Sequence, residues 1–261
     1  MTTTEAEREV EAEFHTTLDC LTWNVHRGRC HDGRFAPSRV HDAVVTELAP
    51  RSPAVLALQE ADFEDDPQSA IFDTARLATE MGLVHAQSEV HLRRHESSSG
   101  FCGTMLLVHE DMEITARFVL DLPGHWHRGA VVLEGVWNDM PVRLVTAHLS
   151  RLEVLRLAQM RTIGQFIMRR PPMQTILLGD LNDWQYWRGL AFSRRVVGTR
   201  FAGPARATFP VSRPLLPLDR ILTDGAGSIE AIEVLDSPLL RRASDHLPLW
   251  GRVAIRPVAG R

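Results

Sequence analysis

The sequence predicts an α/β fold in which two β-sheets pack together and helices cover them on the outside. It is read as one domain over residues 17–256, preceded by an N-terminal extension (1–16) and followed by a short tail (257–261). Three observations lead there. Strand-like apolar runs are many and short, whereas helical stretches are few. No low-complexity linker cuts the 261 residues in two. Reactive polar residues close or interrupt these runs from Asn24 to His246, and they can meet only inside one folded unit.

The elements follow in order. Thr17 to Val25 reads as a strand carrying Asn24 near its end. Pro37-Ser38 opens a helix to about Leu48, with Val40, Val44 and Leu48 on one face. Pro53 precedes a short buried strand, Ala54 to Leu58, that leads into Glu60. Ser69 to Met81 is read as helical and closed by Gly82. Strands are then expected at Val84–Val90, Cys102–Val108, Glu113–Val119, Val131–Trp137 and Val142–Ala147. Arg151 to Arg169 is the longest helix, with Leu157, Met160, Ile163 and Ile167 as its stripe and Pro171-Pro172 as its stop. Gln174 to Leu178 is a strand, and Asp183 to Arg195 a short helix for which Asp183 is a candidate cap. Residues 196–217, rich in Gly, Pro and Arg, read as a long loop. Strands at Arg220–Leu222, Ile229–Val234 and Leu249–Ile255 finish the chain.

Composition narrows the function. The net charge is −4 and the pI about 6.3, which argues against a broad basic face gripping long nucleic acid. All 29 basic residues are arginine; this is read first as base composition, and the pairs Arg93-Arg94, Arg169-Arg170, Arg194-Arg195 and Arg241-Arg242 as solvated surface. No apolar run approaches the length of about 18 residues that a membrane-spanning helix needs. The opening Met1 to Phe14 is polar and acidic and lacks the apolar core of a secretory signal. The three cysteines, Cys20, Cys30 and Cys102, are odd in number and lack C-x-x-C spacing, which fits a reducing cytoplasm. Cys20, among Leu18, Leu21 and Trp23, is expected to be a buried small hydrophobe.

Six short strings carry the chemistry. They are Thr22-Trp23-Asn24, Leu58-Gln59-Glu60, Thr146-Ala147-His148-Leu149-Ser150, Gly179-Asp180-Leu181-Asn182, Leu218-Asp219-Arg220-Ile221 and Ser244-Asp245-His246-Leu247-Pro248. Together they supply four carboxylates, two imidazoles and the amides of Asn24 and Asn182. Four carboxylates in one pocket would repel one another and any anionic substrate, so the cluster implies a bound cation. Oxygen donors point to Mg²⁺ or Mn²⁺ rather than Zn²⁺. Phosphate-ester hydrolysis needs such an ion, an activated water aimed in line, and a stabilised leaving alkoxide.

With these six strings in this order, from about Cys20 to Val253, the chain resembles the endonuclease/exonuclease/phosphatase superfamily. That group includes DNase I-like nucleases, neutral sphingomyelinases and inositol polyphosphate 5-phosphatases. The resemblance implies a four-layer α/β/β/α sandwich (DNase I-like), two mixed β-sheets flanked by helices, with the site at one edge of the sheets. It implies Glu60 as principal metal ligand with Asn24 beside it, and Asp245 as a second or water-mediated metal contact. It gives Asp180 the activation of water and Asn182 the holding of water or phosphate. It places Asp219 behind His246, which would bind the scissile phosphate or share in proton transfer, and sets His148 at the phosphate or leaving group.

Each residue also has a plainer reading. Taken alone, Glu60 is equally a surface cap. Gly-Asp and Asn-Asp are common turn formers, although Asn24 and Asn182 are two of only three asparagines in the chain. His91 and His95 have helical spacing without a third ligand and are read as loop or surface. His125 and His127 around Trp126 receive no role. Trp184, Tyr186 and Trp187 are read as packing a helix rather than lining a cleft.

The expected partner is a phosphate-ester substrate, a small molecule or lipid head group rather than long nucleic acid, and no protein partner is expected. The Thr208-Phe209-Pro210 and Leu215-Leu216-Pro217 stretches are well placed to border the site, with their apolar residues read as loop packing. A DNA nuclease is the alternative, and a non-catalytic binding protein on the same fold ranks third because no motif residue is missing.

Overall fold

Eleven strands carry the chain: β1 (Thr16–Asn24), β2 (Val55–Gln59), β3 (Leu83–His85), β4 (Met105–His109), β5 (Glu113–Leu122), β6 (Arg128–Trp137), β7 (Met140–Ala147), β8 (Gln174–Asp180), β9 (Asp219–Thr223), β10 (Ser228–Val234) and β11 (Leu249–Ile255). They are described by a computed structural model that covers residues 16–65, 67–124, 126–184 and 189–258. One sheet has the order β10-β11-β1-β2-β4-β3 and the other β5-β6-β7-β8-β9. Both are mixed: β1 runs parallel to β2 and β7 parallel to β8, and the remaining neighbours are antiparallel.

Alternation along the central strands divides their side chains between two cores. Leu18, Cys20, Val55 and Ala57 join Leu133, Leu144, Ile176, Leu178 and Ile221 in the core between the sheets. Leu21, Trp23, Leu56 and Leu58 point the other way. Among the described residues five α-helices, α1 (Pro37–Ala43), α2 (Thr74–Met81), α3 (Glu153–Ile167), α4 (Arg194–Val197) and α5 (Pro238–Ala243), complete the fold. Val40, Leu77 and Leu240 from α1, α2 and α5 meet the outward side chains of the first sheet. Met160, Ile163 and Val197 from α3 and α4 cover Val132, Val145 and Leu177 of the second. Every residue of β2 and of β8 is buried, as a strand covered on both faces must be. The four-layer α/β/β/α architecture is the one expected.

Several local expectations are corrected. The helix expected from Ser69 starts at Thr74, where the Asp73 carboxylate accepts from Arg76 N at 2.9 Å and fixes the first turn; Gly82 closes it as expected. The strand expected over 84–90 shrinks to the edge strand β3, paired only with β4, and a short 3₁₀ turn follows at Val90–Leu92. Helix α1 widens into a π turn over Val44–Leu48 before it ends.

The expected helix from Asp183 to Arg195 is absent from its described residues; only Arg194–Val197 is helical. Asp183 accepts from Gly189 N at 2.9 Å instead of capping a helix. Trp184 is 42% exposed rather than packed inside, while Tyr186 and Trp187 lie outside the described residues. Helix α5 was not anticipated. Its signal is Ser237-Pro238, an N-cap whose Oγ accepts from Leu240 N, followed by proline at the first helical position.

Arg170, read as solvated surface, binds Glu134 at 2.7 Å and lies over the Phe118 ring. Glu134 also holds the buried Arg143 across the β6–β7 ladder, at 2.9 Å. Cys20 is fully buried as expected, and all three cysteines are free. Among the described residues no helix is long and apolar enough to cross a membrane. Of the extension, residues 1–15 lie outside the description, and Thr16 pairs with Ile255 at the start of β1. Residues 259–261 of the tail also lie outside it.

Candidate active site

The motif residues converge because the central strands end at one edge of the sandwich. Register places Asn24 opposite Gln59, Thr146 opposite Leu178 and Asp180 opposite Asp219. Glu60 and His148 each sit one residue past a strand end. Beneath them a polar ladder crosses between the sheets. Thr22 Oγ1 donates to Gln59 Oε1 at 3.2 Å, and Gln59 Nε2 donates to Thr146 Oγ1 at 3.4 Å. Gly179 lets β8 press against β7: its φ is +138°, and a Cβ there would lie 2.1 Å from the Ala147 carbonyl oxygen. Any other residue would push Asp180 away from His148.

Asn24 stands between two carboxylates. Its Oδ1 accepts from His26 N at 2.9 Å, which turns the amide nitrogen towards Asp180 Oδ2 at 3.0 Å and Glu60 Oε1 at 3.4 Å. Glu60 adopts a left-handed backbone with φ +56°, an uncommon conformation for a residue with a side chain. Its other oxygen, Oε2, accepts from Arg27 Nη1 at 2.6 Å. Arg27 also has positive φ, and its backbone N–H donates to the Glu60 carbonyl at 3.1 Å.

Asp180 is the hub. Besides Asn24, its Oδ2 faces Nε2 of His148 at 3.3 Å and Nε2 of His246 at 4.0 Å, while Oδ1 accepts from Asn182 N at 3.3 Å. Burial pushes its carboxyl up to about 6, against the pull of His246. Asn182 turns with φ +50° and spends its side-chain N–H on the Leu149 carbonyl at 3.0 Å.

The two histidines are set up differently. Nδ1 of His148 lies 2.7 Å from Arg128 Nη1. A guanidinium only donates, so Nδ1 accepts and the ring proton sits on Nε2, facing Asp180. Burial, and then Arg128, hold His148 well below the ordinary histidine range, so this ring is neutral. His246 is the opposite case. Its Nδ1 lies 2.8 Å from Asp219 Oδ2. Burial disfavours the charged ring, but Asp219 outweighs it and raises His246 to about 10.

Thr208 Oγ1 donates to the same Asp219 oxygen at 2.6 Å, and the Phe209 ring packs 4.7 Å from the His246 ring. The loop before β9 therefore borders the site as expected, although Leu215 within it is 62% exposed. Asp245 Oδ1 faces His26 Nδ1 at 3.5 Å, and its charge acts on the neighbouring His246.

The structure brings together Asn24, Glu60, His148, Asp180, Asn182, Asp219 and His246. It adds Arg27 and Arg128, which sequence reasoning missed, and Thr208, which sequence reasoning placed only in the loop bordering the site. Arg27 follows Asn24 by three residues, and Arg128-Gly129 heads an apolar strand. Either arginine becomes visible only once a basic residue beside a motif is weighed as a partner of the carboxylates. Gly129 lets this strand pass under Phe101, whose Cδ1 would lie 2.4 Å from an added Cβ.

Glu60 and Asp180 are hard oxygen donors, both buried, beside the Asn24 amide, the imidazole N–H groups and the Arg27 and Arg128 guanidinium groups. That chemistry fits a divalent ion that prefers oxygen. Among the described residues no group of three or more His, Cys, Asp or Glu is arranged as a finished metal cage. A cavity of about 800 Å³ opens beside Glu60 and His148 and runs out to Trp126 and Leu155.

The model of the Endonuclease/Exonuclease/phosphatase family matches residues 21–246. The uncharacterized protein YbhP of Escherichia coli K12 is 25% identical over 250 residues, covering 89% of this chain and 94% of YbhP. Two solved structures share the fold. D. rerio TDP2, complexed with a single-strand DNA product, is 16% identical with a TM-score of 0.64, over 91% of this chain and 99% of TDP2. ANGEL2, a 2′,3′-cyclic phosphatase in complex with adenosine-2′,3′-vanadate, is 12% identical with a TM-score of 0.68, over 92% of this chain and 96% of ANGEL2.

Proposed function

Since the chain belongs to the Endonuclease/Exonuclease/phosphatase family, whose name covers cleavage of phosphoester bonds, we propose that it is a Mg²⁺- or Mn²⁺-dependent phosphoesterase. It hydrolyses a phosphodiester or phosphomonoester by in-line attack of an activated water. The observation that carries this reading is the buried hub at Asp180, shared by Asn24, His148 and His246 within 4.0 Å.

Glu60 would hold the metal, with Asn24 and Asp245 as further contacts; when bound, the ion supplies charge neutralisation on the phosphoryl oxygens and the leaving group. Asp180 accepts the proton of the attacking water, which asks for its ionised form and so for a pH above its raised value of about 6. Neutral His148 keeps its Nε2–H on Asp180 Oδ2 and so stands beside the reacting oxygens, at the phosphate or leaving group. His246, kept protonated by Asp219, offers a positive N–H to the phosphate or a proton to the leaving oxygen. Asn182, locked by Leu149 and Leu218, keeps the Asp180 turn in place and lends its amide to the water or phosphate.

The substrate is a small or lipid-linked phosphate ester, consistent with a net charge of −4, which argues against a broad basic face. Three unpaired, buried cysteines suit a cytoplasmic setting. A DNA nuclease is the second reading, favoured by the fold shared with TDP2 and its DNA product.

The test is turnover of bis-p-nitrophenyl phosphate, p-nitrophenyl phosphate, p-nitrophenylphosphorylcholine and plasmid DNA with Mg²⁺, Mn²⁺ or EDTA. Metal-dependent release from a small ester with intact plasmid supports the first reading. Plasmid cleavage alone supports the second. Silence of a folded protein across all four rejects both.

A further inference from the structure

The 800 Å³ cavity beside the site is far larger than one phosphate group requires, so what fills it decides the substrate. Its wall carries Arg27, Arg94, Arg128 and Arg151, and also Glu60, Asp62, Glu64 and Asp65. These charges cancel by number but not in space. Asp62 is consumed by Ser99 and Gly100, whose N–H and O–H groups donate to it at 2.6–3.2 Å. Arg27 takes Glu60 at 2.6 Å and Glu64 at 3.5 Å.

Among the described residues, Arg94 and Arg151 then line the cavity without an ion pair, and Arg128, which binds His148 and feels the charges of Glu60 and Asp180, stands beside them, against the single Asp65. Arg94 is half-buried in this wall and Arg151 is exposed on it, which leaves both guanidinium groups within reach of an anionic ligand. Trp126, 66% exposed, adds a flat wall at the cavity mouth.

We infer that the cavity is a recognition site for a second anionic group, a phosphate or carboxylate carried by the substrate beyond the scissile ester, read by Arg94, Arg128 and Arg151. This rests on the reading of the site as a phosphoesterase. The preferred substrate is therefore at least a bis-anion with a compact body between its two charged groups. Guanidinium pairs suit phosphate because they donate two parallel N–H groups to two oxygens. The same chemistry is offered by a nucleotide with two phosphates and by a phosphorylated inositol head group.

Calorimetric binding to the full chain in Mg²⁺ tests this with two matched pairs: thymidine 3′,5′-bisphosphate against thymidine 5′-phosphate, and inositol 1,4-bisphosphate against inositol 1-phosphate. At least one bisphosphate is expected to bind about tenfold or more tightly than its partner, the scale of one added charge-assisted hydrogen bond. Which pair shows it identifies the source.

The preference should fall to near one in R94Q/R151Q and persist in R76Q, which removes a charge from α2 outside the cavity. R151Q, at an exposed position, keeps the test open should the double variant fail to fold. Equal affinities in the wild type, or a preference unchanged by R94Q/R151Q, overturns the inference. Hydrolysis of p-nitrophenyl thymidine 5′-phosphate is scored separately. Hydrolysis without the binding preference leaves the phosphoesterase and removes the second-anion site; the preference without hydrolysis does the reverse.

Discussion

Oδ2 of Asp219 lies 2.8 Å from Nδ1 of His246 and also accepts the Thr208 hydroxyl at 2.6 Å, all three side chains being buried. One carboxylate oxygen thus fixes the imidazole orientation while a hydroxyl fixes the carboxylate. Asp219→Asn keeps the shape and removes the charge. It should lower kcat by about 10²–10⁴-fold, the scale of general acid-base assistance, with an unchanged circular dichroism spectrum. A kcat within twofold of wild type would take this pair out of the chemistry.

The same pair predicts a pH dependence of stability in the metal-free protein. His246 is raised from 6.5 to about 10 on folding, chiefly by Asp219 acting against burial. The folded state holds that proton more tightly, so the stabilisation is complete below pH 6.5 and is lost as pH rises towards 10. Denaturant unfolding in EDTA should therefore show a steeper loss of stability between pH 7 and 10 for the wild type than for His246→Gln. Parallel curves would contradict it.

Asp183 is expected to hold the site without touching substrate. It is buried, accepts from Gly189 N, and faces Arg156 Nε at 3.8 Å and Arg220 Nη1 at 3.9 Å. It ties the Asp180–Asn182 turn to α3 and to the neighbour of Asp219. Asp183→Asn removes one of the charges that compensate the buried guanidinium groups of Arg156 and Arg220. The expected cost is about 3 kcal/mol, the low end of the range for breaking a buried pair, because Arg156 keeps Glu153. Urea unfolding measures it; a loss under about 0.5 kcal/mol would place Asp183 with ordinary surface residues.

Glu60 is held by Arg27 in the absence of an ion, so metal binding has to compete with a guanidinium at 2.6 Å. Glu60→Ala should weaken Mn²⁺ binding measured by calorimetry by at least tenfold (about 1.4 kcal/mol), with activity partly recovered at high Mn²⁺. Unchanged Mn²⁺ affinity would remove Glu60 from the metal site.

The fold was legible because strand length, alternation and motif order agree. β2 and β8 are short, apolar and end on polar residues, and the sandwich with outer helices is what such strands need. The convergence of Asn24, Glu60, Asp180 and His246 was legible because each belongs to a recognisable string, the first three at or next to a strand end and His246 in the segment before β11. What stayed hidden depends on tertiary partners. Arg128 reads as one arginine among many until His148 is found 2.7 Å away. Asp183 reads as a helix cap, and the charged groups it faces, Arg156 and Arg220, are 27 or more residues distant in either direction. Helix α5, six residues long, is too short to show a period and rests on its Ser-Pro start.

The central claim, that Asp180 activates water in a metal-dependent hydrolysis, is tested most directly by kcat of Asp180→Asn beside wild type on the best ester of the panel at saturating Mn²⁺. The account predicts a loss of about 10²–10⁴-fold in kcat with the fold intact. Near-native turnover in Asp180→Asn would contradict it and require another group to take the proton.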